Sequence, residues 1–302
     1  MIATAIRKIT PVGIDLGASA GRAVQLSRAG GRVVVTCAVQ RDHEPSGEDG
    51  PKHLNIGLLA RTAGRASFAG RGSAVALSSP DLAFHMLELP AVAIGETGVA
   101  SPKAAPIVQQ EIERLTGGKT APLETRYWPL PKTNAPGPNS IGVAAQRPIV
   151  EQIVQHSDGS CFRCDCLTTA ATALVAVTTH VKAWPDDSVW GVLDLGLRES
   201  RLVLCTEGVP VLIRRAGSGG SLWTERIAQA LDLSAKSAEV HKCEHGIAAP
   251  SNREMRDEAN RSELPSLLLG ALRAELTDIA AEIKRSYEYV LRCYTKKSAG
   301  DL

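Results

Sequence analysis

Aromatic residues are scarce in this chain of 302 residues, at 4%, and the formal net charge is only +2. Nucleic-acid binding depends on a basic surface and, for single strands, on aromatic side chains that stack on bases. We therefore expect no nucleic-acid partner. Long apolar runs are also lacking. None reaches the roughly 18 residues that a membrane span requires, and the N-terminus lacks the apolar stretch of a secretory signal.

A disulfide framework is a further feature that the sequence lacks. The seven cysteines are an odd number and, apart from a cluster at 161–166, they are widely scattered. This pattern is typical of reduced thiols in a cytoplasm rather than of a small secreted domain. Together with the missing span and signal, it predicts a cytoplasmic protein.

The chain is long enough for two domains, or for one large α/β domain with an insertion. Segment 90–138 holds many of the prolines, and we interpret it as an inserted subdomain. Alternating apolar residues and apolar periodicity predict the other elements. Strands are expected at 12–16, 22–27, 33–39, 73–77, 84–89, 141–145, 201–205 and 209–213, and helices at 54–68, 107–115, 149–156 and 167–177.

The most informative feature is an internal repeat. Residues 13–17 read GIDLG, and residues 192–196, which lie 179 positions later, read VLDLG. Each copy is followed by a turn and two further predicted strands. A duplicated unit predicts two similar lobes, and a cleft between two lobes is the usual place for a small ligand.

Each copy of the repeat ends a strand with an aspartate and continues with small residues. Small residues let a phosphate approach backbone N–H groups closely, and an aspartate can hold Mg²⁺ through its water shell. The pair therefore predicts a nucleotide cleft with Asp15 at the magnesium site. Two ordinary hairpins are the alternative, because a single Asp-x-Gly turn is common.

The C-terminal third is expected to be helical, at 221–231, at 234–245 and along a long final helix. Apolar residues recur every three or four positions from Leu268 to Tyr294. This stripe predicts packing against the sheet of the second lobe. A helix lying on a membrane is the alternative, and the mixed charges of the polar side argue against it.

These motifs resemble the actin/Hsp70/sugar-kinase superfamily and, within it, the PilM family of type IV pilus assembly proteins and their relative FtsA. GIDLGASAGRAVQLSR at 13–28 is similar to the first phosphate loop, and GVLDLGLRESRLVL at 191–204 is similar to the second. AGSGGSLWTERIAQALDLSAKSAEVHK at 216–242 resembles the Gly-Gly turn and the helices after it. ELP at 88–90 and QQEIERL at 109–115 resemble the inserted subdomain, and IGVAAQRPIVEQIV at 141–154 resembles the strand and helix that return to the first lobe.

The resemblance implies an α/β fold of the actin-like, ribonuclease-H-like kind, with two lobes and a small inserted α+β subdomain. The implied divisions are 1–89 for the N-terminal part of the first lobe, 90–140 for the insertion, 141–187 for the return to the first lobe and 188–302 for the second lobe. The family continues with a further strand and a Gly-Gly turn that line the base. Nothing after the long helix resembles them, so we expect the C-terminal part of the fold to be incomplete.

For the site, the resemblance implies ATP with Mg²⁺, the metal being held at Asp15. Arg22 stands where a lysine is usual. Arg198 and Glu199 stand where small residues are expected. The nucleotide would contact two phosphate loops, a supporting Gly-Gly turn and two residues near the nucleoside, which are Asp15, Gly17, Ala18, Ser19, Ala20, Arg22, Asp194, Gly196, Ser200, Gly219, Gly220, Glu239 and Lys242.

No residue stands out as the water-positioning group that hydrolysis requires, so the activity would be at most that of a weak ATPase. The resemblance implies a cytoplasmic scaffold of a type IV pilus, competence or type II secretion assembly, peripheral at the inner membrane. It would dock the cytoplasmic tail peptide of a PilN-like inner-membrane protein, and self-association is a further option. The alternatives are an ATP-dependent enzyme of the same superfamily, such as a sugar kinase, and a degenerate scaffold that binds no nucleotide.

The cysteine cluster allows a different interpretation. His156, Cys161, Cys164 and Cys166 are together a chemically suitable tetrahedral zinc set. The alternative, which we favour, is a strand in which Cys164 and Cys166 share one face as small buried residues.

Overall fold

The computed structural model describes residues 8–29, 32–42, 56–64, 68–77, 82–90, 104–117, 122–133, 136–158, 160–185, 188–247 and 264–294. The strands are β1 (Lys8–Ile9), β2 (Val12–Leu16), β3 (Ala20–Ala29), β4 (Arg32–Asp42), β5 (Gly72–Leu77), β6 (Leu82–Leu87), β7 (Leu123–Pro129), β8 (Ser140–Gln146), β9 (Arg163–Thr169), β10 (Trp190–Leu195), β11 (Glu199–Thr206) and β12 (Val209–Ser218). The helices are α1 (Ile56–Ala63), α2 (Ala105–Leu115), α3 (Arg147–Asp158), α4 (Ala170–Val181), α5 (Gly220–Leu231), α6 (Ala235–His245) and α7 (Leu264–Tyr294).

The largest sheet has the strand order β4-β3-β2-β5-β9, with the short β1 beside β3. β3 is antiparallel to both β2 and β4, whereas β2, β5 and β9 run parallel. One face of this sheet carries Val12, Ile14 and Val75 into a core that also holds Phe162, and residues of α1 and α3 complete that core. Asp15 therefore lies near the C-terminal end of a central strand.

The second sheet has the order β6-β8-β7 and is antiparallel throughout. α2 covers one face, where Val108 and Ile112 pack with Leu87. Gly142 makes room for this contact, since a Cβ there would lie 2.6 Å from Leu87 Cδ1. Residues 141–145, which were expected to return to the first lobe, belong to β8, which pairs with β6 and β7, while Ala145 packs into the core of the first lobe. The helix that follows, α3, does pack on the first sheet.

The third sheet consists of β10, β11 and β12, antiparallel in that order. α7 packs on this sheet, and Leu268, Leu272, Ile279 and Val290 of its apolar stripe are buried, which confirms the expected use of that helix. α4 covers the opposite face through Val175, and α5 and α6 pack beside α7. Within the described residues no helix is long and apolar enough to cross a membrane.

The small second sheet also touches the lobe built on the third sheet. Trp128 of β7 donates its Nε1–H to the carbonyl oxygen of Pro210 at 2.9 Å. Leu130, just after β7, packs against the cluster formed by β11, β12 and α7. Phe84 of β6 packs into the cluster of α4 and Trp190. The small sheet is therefore joined to both lobes.

Two helix boundaries differ from the sequence-based expectation. Residues 167–169, which were expected to begin a helix, end β9, since β-branched threonines favour a strand. α4 starts only after Thr169, whose hydroxyl accepts the N–H of Thr172 at 3.0 Å in a capping box. α1 ends at Ala63 rather than at 68. Residues 43–53, which follow β4, and residues 91–103 of the expected insertion lie outside the described part.

Candidate functional site

The first Asp-x-Gly turn connects β2 to β3. Asp15 and Arg22 are Cα partners across these strands, so the strand register sets their side chains opposite each other. Arg22 Nη1 donates to Asp15 Oδ2 at 3.2 Å, and Arg22 Nε donates to Gln40 Oε1 on β4 at 3.0 Å. A Cβ at Gly17 would lie 3.1 Å from the carbonyl oxygen of Ala20, so a larger residue would press on the turn.

The second Asp-x-Gly turn, between β10 and β11, is tied to the start of α5. The N–H groups of residues 219–221 donate to the carbonyl oxygens of residues 196–198 at 2.8 to 3.2 Å. A Cβ at Gly219 would lie 2.5 Å from backbone atoms of Arg198 and Glu199. The beginning of α5 thus uses its N–H groups to support the turn, and the close approach requires a glycine.

Both turns line one cavity of about 430 Å³ between the two lobes, and α4 lines it from a third side. Some of the residues predicted for the site belong to this lining, namely Asp15, Gly17, Ala18, Ser19, Arg22, Asp194 and Gly196. The other predicted residues lie outside the lining, namely Ala20, Ser200, Gly219, Gly220, Glu239 and Lys242. The structure thus brings the two repeats together, as the duplication predicts.

Glu239 and Lys242 form a network with the first turn of α5. Lys242 Nζ donates to Glu239 Oε2 and Thr224 Oγ1, each at 2.7 Å, and to the carbonyl oxygen of Gly220 at 2.9 Å. Thr224 also donates to Glu239. Burial opposes ionisation of Glu239, but the hydrogen bonds from Lys242 and Thr224 outweigh it and lower the pKa of that carboxyl. The network fixes α6 against α5.

The environment of Asp194 in the cleft disfavours its carboxylate form. Burial raises the pKa of Asp194, the charge of Arg201 lowers it, and the charges of Asp15 and Glu199 raise it again, with a net increase. Asp15 and Asp194 line the same cavity from the two lobes, so two like charges share one cleft.

Arg201, which is not among the predicted site residues, also lines the cavity. Arg201 Nη2 donates to Glu199 Oε1 at 2.5 Å, and the arginine side chain is only 10% exposed. Its guanidinium carbon lies 6.0 Å from the centre of the Phe84 ring. The repeat itself carries the missing signal, because the 179-residue offset that relates the two aspartates also relates Arg22 to Arg201.

Asp194→Asn should make the protein more stable at pH 7. A raised pKa means that the folded state disfavours the carboxylate, so wild-type stability falls as the pH rises through the folded-state pKa. The advantage of the variant should be largest at neutral pH and vanish below the pKa of an unfolded aspartate, about 3.9. Urea unfolding at a series of pH values measures this difference.

The matched control for that prediction is Asp165→Asn. A hydrogen bond from Arg163 lowers the pKa of Asp165, so its carboxylate is favoured in the folded state. This variant should therefore be less stable than wild type at pH 7. An Asp194→Asn protein that is also less stable there would contradict the raised pKa of Asp194.

Comparison with known proteins places the fold. No protein-family model and no curated protein matches the chain. Among solved structures, the PilM–PilN type IV pilus biogenesis complex aligns with a TM-score of 0.67 and 21% identity, over 92% of this chain and 76% of that chain. The fold is actin-like. This confirms the expected α/β fold class, and at this identity the likeness concerns the fold.

Two other actin-like structures align less closely. The ethanolamine utilization protein EutJ from Carboxydothermus hydrogenoformans has a TM-score of 0.46 at 11% identity, over 92% of this chain and 72% of its own. MreB5 of Spiroplasma citri bound to ADP has a TM-score of 0.38 at 15% identity, over 91% of this chain and 79% of its own.

An actin-like fold implies a nucleotide with Mg²⁺ between the lobes. The described residues suit the phosphates of that nucleotide better than they suit the metal. The phosphates fit, because the small residues 17–19 line the cavity together with Arg198 and two further arginines, and arginine suits phosphate oxygens. The metal fits less well. Asp15, where it is expected, is bonded to Arg22, and Asp194 has an arginine as its cross-strand partner.

A second cavity of about 440 Å³, here called the β9 groove, lies between β9 and the small sheet. Residues 164–169 of β9 all line it, as expected when a strand is approached from its edge. In the described part of the chain, β9 pairs with β5 alone, so this edge carries unpaired backbone groups. The opposite wall is largely apolar and includes Leu82, Trp128, Val143, Val150 and Val154.

The cysteine cluster is arranged differently from both expectations. A β-bulge at Asp165 pairs Cys164 with Ser73 and Cys166 with Ala74. Neighbouring residues of β5 point to opposite faces, so the two cysteines do as well. Cys164 packs against the first-lobe core whereas Cys166 is exposed, so the expectation of one shared buried face is wrong. Across the described ranges, no three His, Cys, Asp or Glu side chains are grouped to hold a metal.

Proposed function

We propose that this chain is a cytoplasmic actin-like scaffold of a type IV pilus, competence or type II secretion assembly. In this proposal it binds ATP between its lobes. It also docks the cytoplasmic tail of a PilN-like inner-membrane protein, and this partner keeps it at the membrane. The observation that carries the proposal is the single cavity lined by both Asp-x-Gly turns, in a fold that aligns with a PilM–PilN complex.

The cleft supports nucleotide binding through its shape and its cations. The turns bring small residues from one lobe and Gly196 from the other to the same cavity, and arginines line it on both sides. Backbone N–H groups in such turns and guanidinium groups are the usual phosphate donors. Calorimetric titration with ATP tests this half of the proposal. If no heat of binding is measured, with or without Mg²⁺, the remaining candidate is the scaffold that binds no nucleotide.

Turnover is expected to be slow or absent. Two of the carboxylates that line the cavity are bonded to arginines, Asp15 to Arg22 and Glu199 to Arg201. A kinase needs a free general base for its acceptor, and an ATPase needs a group that positions water. Asp194, the third carboxylate of the lining, has Arg201 as its cross-strand partner. The arginines opposite all three carboxylates favour a scaffold over a sugar kinase. ATP consumption that rises on addition of a sugar would instead support the kinase.

The β9 groove is the surface that best fits the partner's tail peptide. An edge strand can add an extended peptide through main-chain hydrogen bonds, and an apolar wall provides pockets for alternate side chains. The groove offers both features, with Glu124 and Arg126 as charged residues that can set the orientation of the peptide.

Val154→Asp should weaken binding of the partner's tail peptide by at least about 30-fold, or roughly 2 kcal/mol. Val154 lines the groove from α3, and a carboxylate there would be desolvated beneath an apolar ligand. The measurement is fluorescence anisotropy with a labelled peptide of the PilN-like tail. Gln155→Asp is the matched control, since it places the same charge one residue away at an exposed position. If both variants lose the same affinity for the peptide, or if neither loses any, the peptide docks at a different surface.

A further inference from the structure

Each aspartate of the cleft faces an arginine from the neighbouring strand. Asp15 and Arg22 are Cα partners on β2 and β3, and Asp194 and Arg201 are Cα partners on β10 and β11. In sequence both pairs read D-L-G-x-x-x-x-R, as DLGASAGR and DLGLRESR. The repeat therefore carries the arginine as well as the aspartate. In both lobes the strand register places the aspartate opposite the arginine, whichever rotamer either side chain adopts.

Each arginine also donates to an acceptor other than the aspartate that it faces. Arg22 Nε donates at 3.0 Å to Gln40, which is its Cα partner on β4, and Gln40 Nε2 donates to Asp42 Oδ1 at 2.7 Å. Arg201 donates to Glu199 at 2.5 Å. A guanidinium group has five N–H donors in a fixed plane. These contacts orient both groups in the cavity wall and still leave donors for another anion.

The charges that line the cavity balance. Three carboxylates and three guanidinium groups belong to the lining, namely Asp15, Asp194, Glu199, Arg22, Arg198 and Arg201. Without the arginines, the carboxylates would repel a polyphosphate, and a divalent cation would be needed to join them. With the arginines, the positive charge is already fixed in the wall. A metal at Asp15 would have to compete with the guanidinium group bonded there.

We propose that the cleft binds the polyphosphate of its nucleotide without a divalent cation, and that Arg22 and Arg201 supply the positive charge. The inference rests on the proposed function, since it requires a nucleotide in the cleft. Arginine suits this role because it stays charged at any physiological pH and donates in a planar fork to phosphate oxygens. Asp15 and Glu199 then act as positioning residues for the two guanidinium groups rather than as metal ligands.

Two calorimetric titrations of the full chain with ATP test the inference, one with excess Mg²⁺ and one with EDTA. We expect the two dissociation constants to agree within about threefold. A tenfold or larger loss of affinity in EDTA would overturn the inference and leave the proposed nucleotide binding intact. The absence of binding under both conditions would overturn both. This comparison uses the unmodified protein, so it does not depend on the folding of any variant.

Arg22→Gln provides a second readout. Removing the guanidinium group frees Asp15 to hold a metal. The variant should therefore lose at least about tenfold of its affinity for ATP in EDTA and recover most of that affinity when Mg²⁺ is added. The matched control is Arg28→Gln, an exposed arginine of the same strand outside the cavity, which should behave as wild type in both buffers. An Arg22→Gln protein with the same loss in both buffers would show that Arg22 does not take the place of a metal.

Discussion

Gly219→Ala is expected to destabilise the protein by about 3 kcal/mol and to abolish ligand binding in the cleft. The added Cβ would lie 2.5 Å from the backbone carbon of Arg198 and the backbone nitrogen of Glu199, and 2.6 Å from the carbonyl oxygen of Gly196. Backbone atoms cannot turn aside as the end of a flexible side chain can. The second Asp-x-Gly turn would therefore have to move away from α5, and the hydrogen bonds that join them would be lost.

Urea unfolding measures the loss of stability, and a matched glycine of the same lobe provides the control. At Gly270, inside α7, a new Cβ would meet no atom within 4 Å. Alanine is the better helix former, so Gly270→Ala should stabilise the protein by about 0.5 to 1 kcal/mol. The two substitutions add the same methyl group with opposite expected signs. Wild-type stability in Gly219→Ala would show that the turn and α5 separate easily.

Arg201→Gln is expected to cost about 3 kcal/mol of stability at pH 7. Arg201 is almost fully buried, donates to Glu199 and faces Asp194 across the strands. Without its charge, two partly buried carboxylates would remain near Asp15 with less compensation. Burial already raises the pKa of Asp194 and the charge of Arg201 lowers it, so without Arg201 that pKa would rise further. The cost should therefore shrink as the pH falls and Asp194 takes up a proton.

Unfolding curves at pH 7 and at a pH near 4 separate this electrostatic cost from lost packing. Arg215→Gln is the control, because Arg215 is the Cα partner of Arg201 on β12 and is exposed. Its substitution should change the stability by less than about 0.5 kcal/mol. If Arg201→Gln costs the same at both pH values, contact with the Phe84 ring rather than charge explains its role.

Local patterns in the sequence were sufficient for much of the fold. The alternation in β2 and β5 and the apolar stripe of α7 reflect burial on one face, and such periodicities are written directly in the sequence. The pairing of β8 with β6 and β7 could not be predicted in this way, because strand pairing depends on long-range contacts that local alternation does not specify. The bulge at Asp165 also has no local signature, and one extra residue was enough to send Cys164 and Cys166 to opposite faces.

The site was predictable where it follows from the repeat. The duplicated motif brought Asp15 and Asp194 into one cavity, as two facing lobes require. Arg201 was predictable in the same way, because its position in the second repeat is that of Arg22 in the first. Glu239 and Lys242 bond to the start of α5 instead of lining the cavity, and their contact with a nucleoside stays a prediction.

The bond from Trp128 to Pro210 has a mechanical consequence for the two lobes. The chain itself joins them where α4 leads to β10, and the small sheet joins them a second time through the region of Trp128, Leu130 and Phe84. A body attached at two separate points turns most easily about the line through them, so opening the cleft becomes a hinge motion with a defined axis. Trp128 also forms part of the wall of the β9 groove. A peptide seated in that groove would therefore rest directly against one of the two pivots.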